Sequence, residues 1–285
     1  MSDTEKDIMK TIIITGASDG IGAASARQLA TAGHDVVLVG RSPQKTAAVA
    51  KQINAPYHVA DFTDLAQVRR LADELLAAHP QIDVLANNAG GLFGHETTTD
   101  GFDKTFQVNH LAPFLLTNLL MDRLLTSRAA LIQTSSVGAK AFGNLDLDDL
   151  NNTKKWGANK AYGDGKLANI LFTQELHRRY HDRGLSAVAF HPGNVATNFA
   201  SDTSSPIRWL YRTPLSRLIL VDAGKGGAAL TWLAAGTPGV TWQSGAYYEK
   251  NKPVPEKKLH AQARDASVAR GLWERSEALL QKAGA

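Results

Sequence analysis

Tyr162 and Lys166 stand one helical turn apart, a spacing at which two side chains share a helix face. A phenol with an ordinary pKa near 10 is too weak an acid to serve as a base at neutral pH. An ammonium at ~5 Å, through an effective dielectric of ~20, would favour the phenolate by about 3 kcal/mol, or roughly 2.5 pK units. That brings the phenol within range of giving a proton to a carbonyl oxygen or taking one from an alcohol. Far upstream, Thr15-Gly16-Ala17-Ser18-Asp19-Gly20-Ile21-Gly22 reads as a glycine-rich turn between a strand and a helix. Such a turn lets the backbone approach a pyrophosphate, and the helix N-terminus presents unpaired N–H groups to that anion. The Gly-xxx-Gly-x-Gly spacing departs from the commoner Gly-x-Gly-xx-Gly, and plain turn glycines would also account for it. A dinucleotide held by the first half and a proton carried by the second imply an oxidoreductase.

The end of the second strand should choose between cofactors. A chain selecting NAD places Asp or Glu there for the ribose 2′-hydroxyl. Here Asp35 lies at the wrong end of that strand, and Gly40-Arg41-Ser42 closes it. A guanidinium fork beside a hydroxyl suits a 2′-phosphate, at roughly 1.5–3 kcal/mol for a charge-assisted hydrogen bond, so NADP(H) is expected over NAD(H). Asp61, followed by Phe62, comes just past the third strand and either accepts from the adenine amino group or caps the next helix. In Asn87-Asn88-Ala89-Gly90, after the fourth strand, small and amide residues allow close approach of adenosine and ribose, though Asn and Gly also simply make turns.

These residues need a scaffold, and short β-branched runs alternate with amphipathic stretches along the chain. The pattern is that of an α/β, Rossmann-type doubly wound, mostly parallel sheet with helices on both faces. Strands are expected at Thr11–Thr15, Val36–Val39, Tyr57–Ala60, Ile82–Ala86, Ala130–Thr134, Leu185–Phe190 and Ala246–Tyr248. Helices are expected at about Gly20–Ala32, Asp64–Ala78, Lys160–Tyr180, Ala223–Ala234 and Asp265–Lys282, and Leu111–Leu125 reads as a buried helix. Gly33 stops the first helix, and Thr63 or Asp64 caps the second. No linker or repeat is visible, so residues 1–285 read as a single domain. Two long connections, Gly138 to Asn159 and Asn194 to about Val221, should leave the carboxyl edge of the sheet, where open parallel sheets bind ligands.

Composition narrows the function classes. A net charge of +4, from 31 basic and 27 acidic residues, is too small for a nucleic-acid-binding stripe. The basic cluster from Lys250 to Lys258 is interrupted by prolines and an acid, so neither nucleic acid nor a membrane surface is an expected partner. The absence of cysteine excludes disulfides, zinc–thiolate sites and a cysteine nucleophile. Nine histidines show no metal-ligand spacing, and no metal is expected. With no run of about eighteen apolar residues and no apolar leader, a soluble, cytoplasmic protein is expected.

Together, Thr15-Gly16-xxx-Gly20-x-Gly22, Asn87-Asn88-Ala89-Gly90, Asn109, Ser136, Tyr162-xxx-Lys166 and Pro192-Gly193 resemble the short-chain dehydrogenase/reductase family, from about Lys10 to Leu280. The Ser136-to-Tyr162 spacing, the run Lys166-Leu167-Ala168-Asn169-Ile170-Leu171-Phe172, and Leu272-Trp273 with Ser276-Glu277 are similar to its retinol-dehydrogenase-like branch. The resemblance implies that Lys166 also holds the nicotinamide ribose, that Ser136 orients the substrate oxygen, and that Asn109 helps position a proton-relay water. Asn109 could instead be only a buried amide. Ser135 competes with Ser136, and the Val137-Gly138 that follows favours Ser136. Pro192-Gly193 would shape the turn that meets the nicotinamide. Val195 and Thr197 follow it, Thr197 as a partner for the amide or the pyrophosphate, while His191 reads as structural. A homo-oligomer is also implied. Two positions depart from the family pattern: Asp19 stands in the glycine turn where NADP-preferring members often carry a basic residue, and Gly165 precedes the lysine in place of a small polar residue.

The stretch Asn198 to Val221 mixes Phe199, Ile207, Trp209, Leu210 and Tyr211 with Arg208, Arg212 and Arg217. Residues 194–221 therefore read as a substrate lid, apolar inward, admitting a hydrophobic ketone, aldehyde or alcohol; an amphipathic surface or dimer helix would show the same pattern. The alternative to an enzyme is a non-catalytic NADP(H)-sensing regulatory or interaction protein of the same fold. A sensor would need the glycine turn but not the intact Tyr162, Lys166 and Ser136.

Overall fold

The run Thr11–Thr15 is β-branched throughout and buried from Ile12 onward, as a strand covered on both faces must be. In the computed structural model, which describes residues 9–193 and 223–284, it forms β1 at the centre of an eight-stranded sheet. The other strands are β2 (Asp35–Gly40), β3 (Tyr57–Val59), β4 (Val84–Asn87), β5 (Ala130–Thr134), β6 (Ser186–His191), β7 (Tyr247–Glu249) and β8 (Lys252–Pro253). Their order is β3-β2-β1-β4-β5-β6-β7-β8, parallel at every pairing except the antiparallel β7–β8. The seven expected strands are all present within a residue or two. The two-residue β8 is too short to leave a periodic signal.

Helices cover both faces. On one lie α1 (Gly20–Thr31), α2 (Pro43–Ile53) and, ninth among the described residues' α-helices, α9 (Ala223–Ala235), whose Leu29, Val49, Leu230 and Leu233 join the β1 and β2 side chains in one core. On the other lie α3 (Leu65–Ala78), α5 (Ala112–Leu119), α8 (Ala158–Tyr180) and the C-terminal α10 (Ala266–Lys282), packed through Leu71, Leu116, Leu171 and Trp273. Among the described residues the remaining α-helices are the short α4 (Lys104–Phe106), α6 (Met121–Thr126) and α7 (Gly138–Phe142). The α2 helix was not anticipated. Its start is nonetheless encoded, since Ser42 caps it by accepting from Lys45 N and Pro43 occupies the first turn, where a missing N–H costs nothing.

Three further expectations change in detail. Asp64, not Thr63, caps α3, accepting from Ala66 N at 2.9 Å. The connection after β5 contains α7 rather than being wholly irregular. The buried helix around Leu111–Leu125 divides into a π-helical stretch, Gln107–Leu111, followed by α5 and α6, with Pro113 tolerated in the first turn of α5. Val195, Thr197 and the 194–221 lid lie outside the described residues. Among the described residues no helix is long and apolar enough to cross a membrane, and no group of three His, Asp or Glu is arranged to hold a metal.

Candidate active site

The strand order reverses between β1 and β4, and the crevice at the carboxyl ends of the strands there is where such sheets bind ligands. A cleft of about 710 Å³ occupies that position. The glycine turn forms its floor. Gly16 adopts φ +66°, and a Cβ there would stand 2.8 Å from Ala89 Cα, so any side chain would drive β1 and β4 apart. A Cβ on Gly22 would meet Gly16 O at 2.4 Å, which keeps α1 close against the turn. Asn88 locks the turn to β4 by donating from Nδ2 to Thr15 O at 3.0 Å, while Thr134 Oγ1 donates to its Oδ1 at 3.2 Å. Gly16, Ser18, Asp19, Gly20 and Ile21 all line the cleft, and Gly22 stands behind them.

Charged groups gather where β2 ends. Arg41, Ser42 and Lys45 line the cleft together, Lys45 arriving on the first turn of α2. The Lys45 ammonium lies 3.7 Å from the Asp19 carboxylate, which itself caps α1 by accepting from Gly20 N at 2.7 Å. The acid that departs from the family pattern is therefore balanced by a base that sequence reading overlooked. Ser42 spends its oxygen on the α2 cap. Asp61 and Phe62 line the next wall, and Asp61 Oδ1 accepts from both Thr63 N and Thr63 Oγ1 at 2.9 Å, a turn-stabilising use. Asp61 therefore braces the turn ahead of α3 and does not cap that helix, whose cap is Asp64.

At the other end stand the residues with proton chemistry. Asn88, Ala89 and Gly90 pass into Gly91, Leu92 and Phe93, all lining the cleft. Behind them Asn109 is fully buried in the π-helical stretch; its Nδ2 donates to Gly91 O and Thr105 O, both at 2.8 Å. A Cβ on Gly90 would fall 2.5 Å from Asn109 Oδ1 and 2.9 Å from Lys166 Nζ, so both side chains converge on one backbone point. Asn109 is thus a buried amide whose side chain braces the Gly91 backbone beside the cleft.

Ser136 and Tyr162 face each other across Gly138, where an added Cβ would lie 2.9 Å from the Tyr162 ring and 3.4 Å from Ser136 Oγ. Ser136 Oγ accepts from Gly138 N at 3.1 Å, which leaves its proton to point elsewhere. Ser135 instead donates to the Lys166 main-chain carbonyl at 2.7 Å, tying β5 to α8. Lys166 is 3% exposed, donates to Thr134 O at 3.2 Å, and holds its ammonium 5.7 Å from the Tyr162 ring centre. Burial pushes its pKa down to about 7. The same helix start is pinned by Asp164, which is buried, pairs with Lys160 at 2.5 Å and accepts from Asn144 N at 2.7 Å.

His191, Pro192 and Gly193 close the cleft beyond β6. Burial lowers the His191 pKa to about 4, and its Nδ1 has no partner among the described residues. Glu249 lies beside His191 in the β6–β7 register, and Tyr247 is on the same strand face two residues earlier. The Tyr247 hydroxyl is buried without a closed hydrogen bond among the described residues, and burial, with the Glu249 carboxylate and Tyr162 nearby, raises its pKa. Sequence reading missed Lys45, Asp164 and Tyr247. Only Lys45 left a signal, the Ser42-Pro43 helix start that puts it one turn from Arg41.

A family profile described as short chain dehydrogenase matches residues 10–207. The chain is 42% identical to the provisionally named daunorubicin C-13 ketoreductase DnrU of Streptomyces sp. (strain C5), over 95% of this chain and 92% of that one. It is 37% identical to retinol dehydrogenase 13 of Homo sapiens, covering 95% and 84% of the two chains. Among solved structures, an uncharacterised protein from Mycobacterium paratuberculosis superposes with a TM-score of 0.75 at 32% identity, covering 95% of this chain and 93% of that one.

Proposed function

This chain belongs to the short-chain dehydrogenase family, an oxidoreductase of CH–OH or C=O groups that uses a nicotinamide dinucleotide, and from that premise we propose that Tyr162 is its general acid/base and NADP(H) its preferred cofactor. The observation that carries the reading is the buried Lys166 ammonium held against the Tyr162 ring, at one end of a cleft whose floor is the glycine turn. The fit to a dinucleotide rests on three features: a backbone approach that a Cβ would fill, a helix N-terminus opening on it, and a buried cation where the reacting ring would end. The nicotinamide, when bound, supplies or accepts the hydride.

In reduction, the Tyr162 O–H gives its proton to the carbonyl oxygen; in oxidation, the Tyr162 oxygen takes the alcohol proton back. Ser136, whose oxygen is already engaged by Gly138 N, has its own O–H left to donate to the substrate oxygen. Lys166 and Tyr162 form a coupled pair. A phenolate beside it raises the affinity of Lys166 for its proton, just as the ammonium lowers the affinity of the phenol. Lys166 also presents donors toward a ribose, and Asn109 holds the Gly90-Gly91 backbone in place beside it.

Arg41 and Lys45 favour a 2′-phosphate, and Lys45 offsets the unfavourable charge of Asp19. Leu92, Phe93 and Val108 give the cleft an apolar wall, in keeping with a hydrophobic carbonyl or alcohol as substrate. The relatives' names, a ketoreductase and a retinol dehydrogenase, describe the same interconversion. The test is a panel of ketones, aldehydes and alcohols followed by NADPH absorbance, with Tyr162→Phe in parallel. Turnover should vanish in the variant while NADPH binding persists. Retained turnover, or turnover lost only because NADPH no longer binds, would overturn the role of Tyr162, and equal KM values for NADPH and NADH would overturn the cofactor preference.

A further inference from the structure

The motif Leu272-Trp273 with Ser276 lies far from the cleft, yet its side chains reach the two elements that carry Asn109, Tyr162 and Lys166. Ser276 Oγ and His110 Nε2 are 2.9 Å apart, and both residues are fully buried. His110 is the neighbour of Asn109 within the π-helical stretch Gln107–Leu111. Around this bond an aromatic group joins four elements: His110 from the π-helical stretch, Phe114 from α5, Phe172 from α8 and Trp273 from α10. Ring centres lie 5.8 Å apart for His110–Phe172, 4.9 Å for Phe114–Trp273 and 5.7 Å for Phe172–Trp273. Arg179, also on α8, stacks its guanidinium 4.4 Å from the Trp273 ring.

A π turn holds one residue more than an α turn and is the less stable of the two, so tertiary contacts must keep it. Reverting to α geometry would shift the register by one residue, which rotates a side chain about the helix axis by ~100°. Asn109 would then lose Gly91 O and Thr105 O together. Three side chains in the stretch are tied down. Gln107 is bound from the β3–α3 and α4-side loops through Phe62 O and Asp100, Asn109 through Gly91 and Thr105, and His110 through Ser276. Ser276 is the tie that comes from the C-terminal helix. Burial keeps His110 neutral at physiological pH, its pKa lowered to about 3, so the bond is made by an uncharged ring.

We propose that Ser276 is a positioning residue for the active site, holding His110 so that the π turn keeps Asn109 on Gly91 and Thr105 beside Lys166. The inference rests on Asn109 holding the Gly90-Gly91 backbone beside Lys166, as proposed above. The test is a double-mutant cycle on the full chain, with kcat, KM, NADPH binding and Tm measured for Ser276→Ala, Asn109→Ala and the double variant. Ser276→Ala should lower kcat by about five- to tenfold, the worth of one buried hydrogen bond, with KM and NADPH affinity within about twofold. In the Asn109→Ala background the same substitution should change kcat by less than about twofold. An undiminished effect in that background, or a kcat unchanged by Ser276→Ala, overturns the proposal. If Ser276→Ala fails to fold, Ser276→Cys, whose thiol hydrogen-bonds far more weakly at similar size, is put through the same cycle: kcat should fall about two- to fivefold in the wild-type background and not in Asn109→Ala, and an unchanged kcat or an undiminished effect overturns the proposal. Asn109→Ala with full activity defeats the role given to Asn109 itself, so the two failures are read from different arms.

Discussion

Charge is handled differently where β2 ends and where α8 begins. Beside β2, Arg41 is exposed, and the Lys45–Asp19 pair keeps 60% and 54% of its side-chain surface in water. Beside α8, Lys166 is 3% exposed and Asn109 not at all. Water screens the first set, so each pair there is worth less than about 1 kcal/mol. Such a set suits selection among cofactors, where a modest preference with easy release is useful. The second set is unscreened. Its ammonium has lost so much hydration that its pKa falls to about 7, and the same loss makes its field strong at the phenol 5.7 Å away. On the proposed reading, one cleft discriminates with exposed charge and reacts with buried charge.

The contrast is most exposed to failure at Lys166. Lys166→Met should cut kcat by about 10²–10⁴-fold, measured at saturating cofactor. A loss below tenfold would mean that the buried ammonium does little at the phenol. The same variant reports on linkage. Folded Lys166 releases its proton near pH 7, whereas the unfolded chain keeps it to about 10.5, so the unfolded state binds the extra proton between those values. Wild-type stability should therefore rise from pH 7 toward 10.5 relative to Lys166→Met, a difference that denaturant titrations at several pH values would reveal. Across the same region kcat for carbonyl reduction should fall with pH and kcat for alcohol oxidation should rise, because only the first consumes the proton held by the Tyr162–Lys166 pair.

Asp164 sharpens the comparison from the structural side. Asp164→Ala removes the carboxylate partner of Lys160, which keeps Asn152 Oδ1 and Asn144 O, and the acceptor for Asn144 N from a buried site, and should cost about 2–3 kcal/mol, seen as a lower Tm. At the exposed end, replacing Arg41 and Lys45 together by Ala should reduce the NADPH-over-NADH preference in kcat/KM by about ten- to a hundredfold. Lys45→Ala alone should give less than about fivefold, shrinking further as salt is raised. A salt-independent effect there would show that the outer charges are not screened after all.

Much of this is legible in the amino-acid sequence itself. Ile12, Ile13 and Ile14 in an unbroken run could only be an interior strand, and Tyr162 and Lys166 one turn apart had to share a helix face. Local pattern sufficed for these because each depends on neighbours in sequence. The π turn at Gln107–Leu111 did not show, since its cause is tertiary: Gln107, Asn109 and His110 are held by loops and by α10, not by their own propensities. Asp164 reads as an ordinary polar helix residue until Asn144 folds over it. Asp19 looked like an obstacle to NADP(H) because its balancing base lies on α2, a helix the periodicity did not reveal.

The two margins of the sheet carry a consequence for how copies of this chain can meet. One ends in the three-residue β3, and the other in a two-residue strand containing Pro253, an imino acid with no amide hydrogen to offer. Among the described residues neither border presents a row of donors and acceptors long enough to recruit a further strand, so these two margins offer no template for main-chain polymerisation of the kind that seeds fibres.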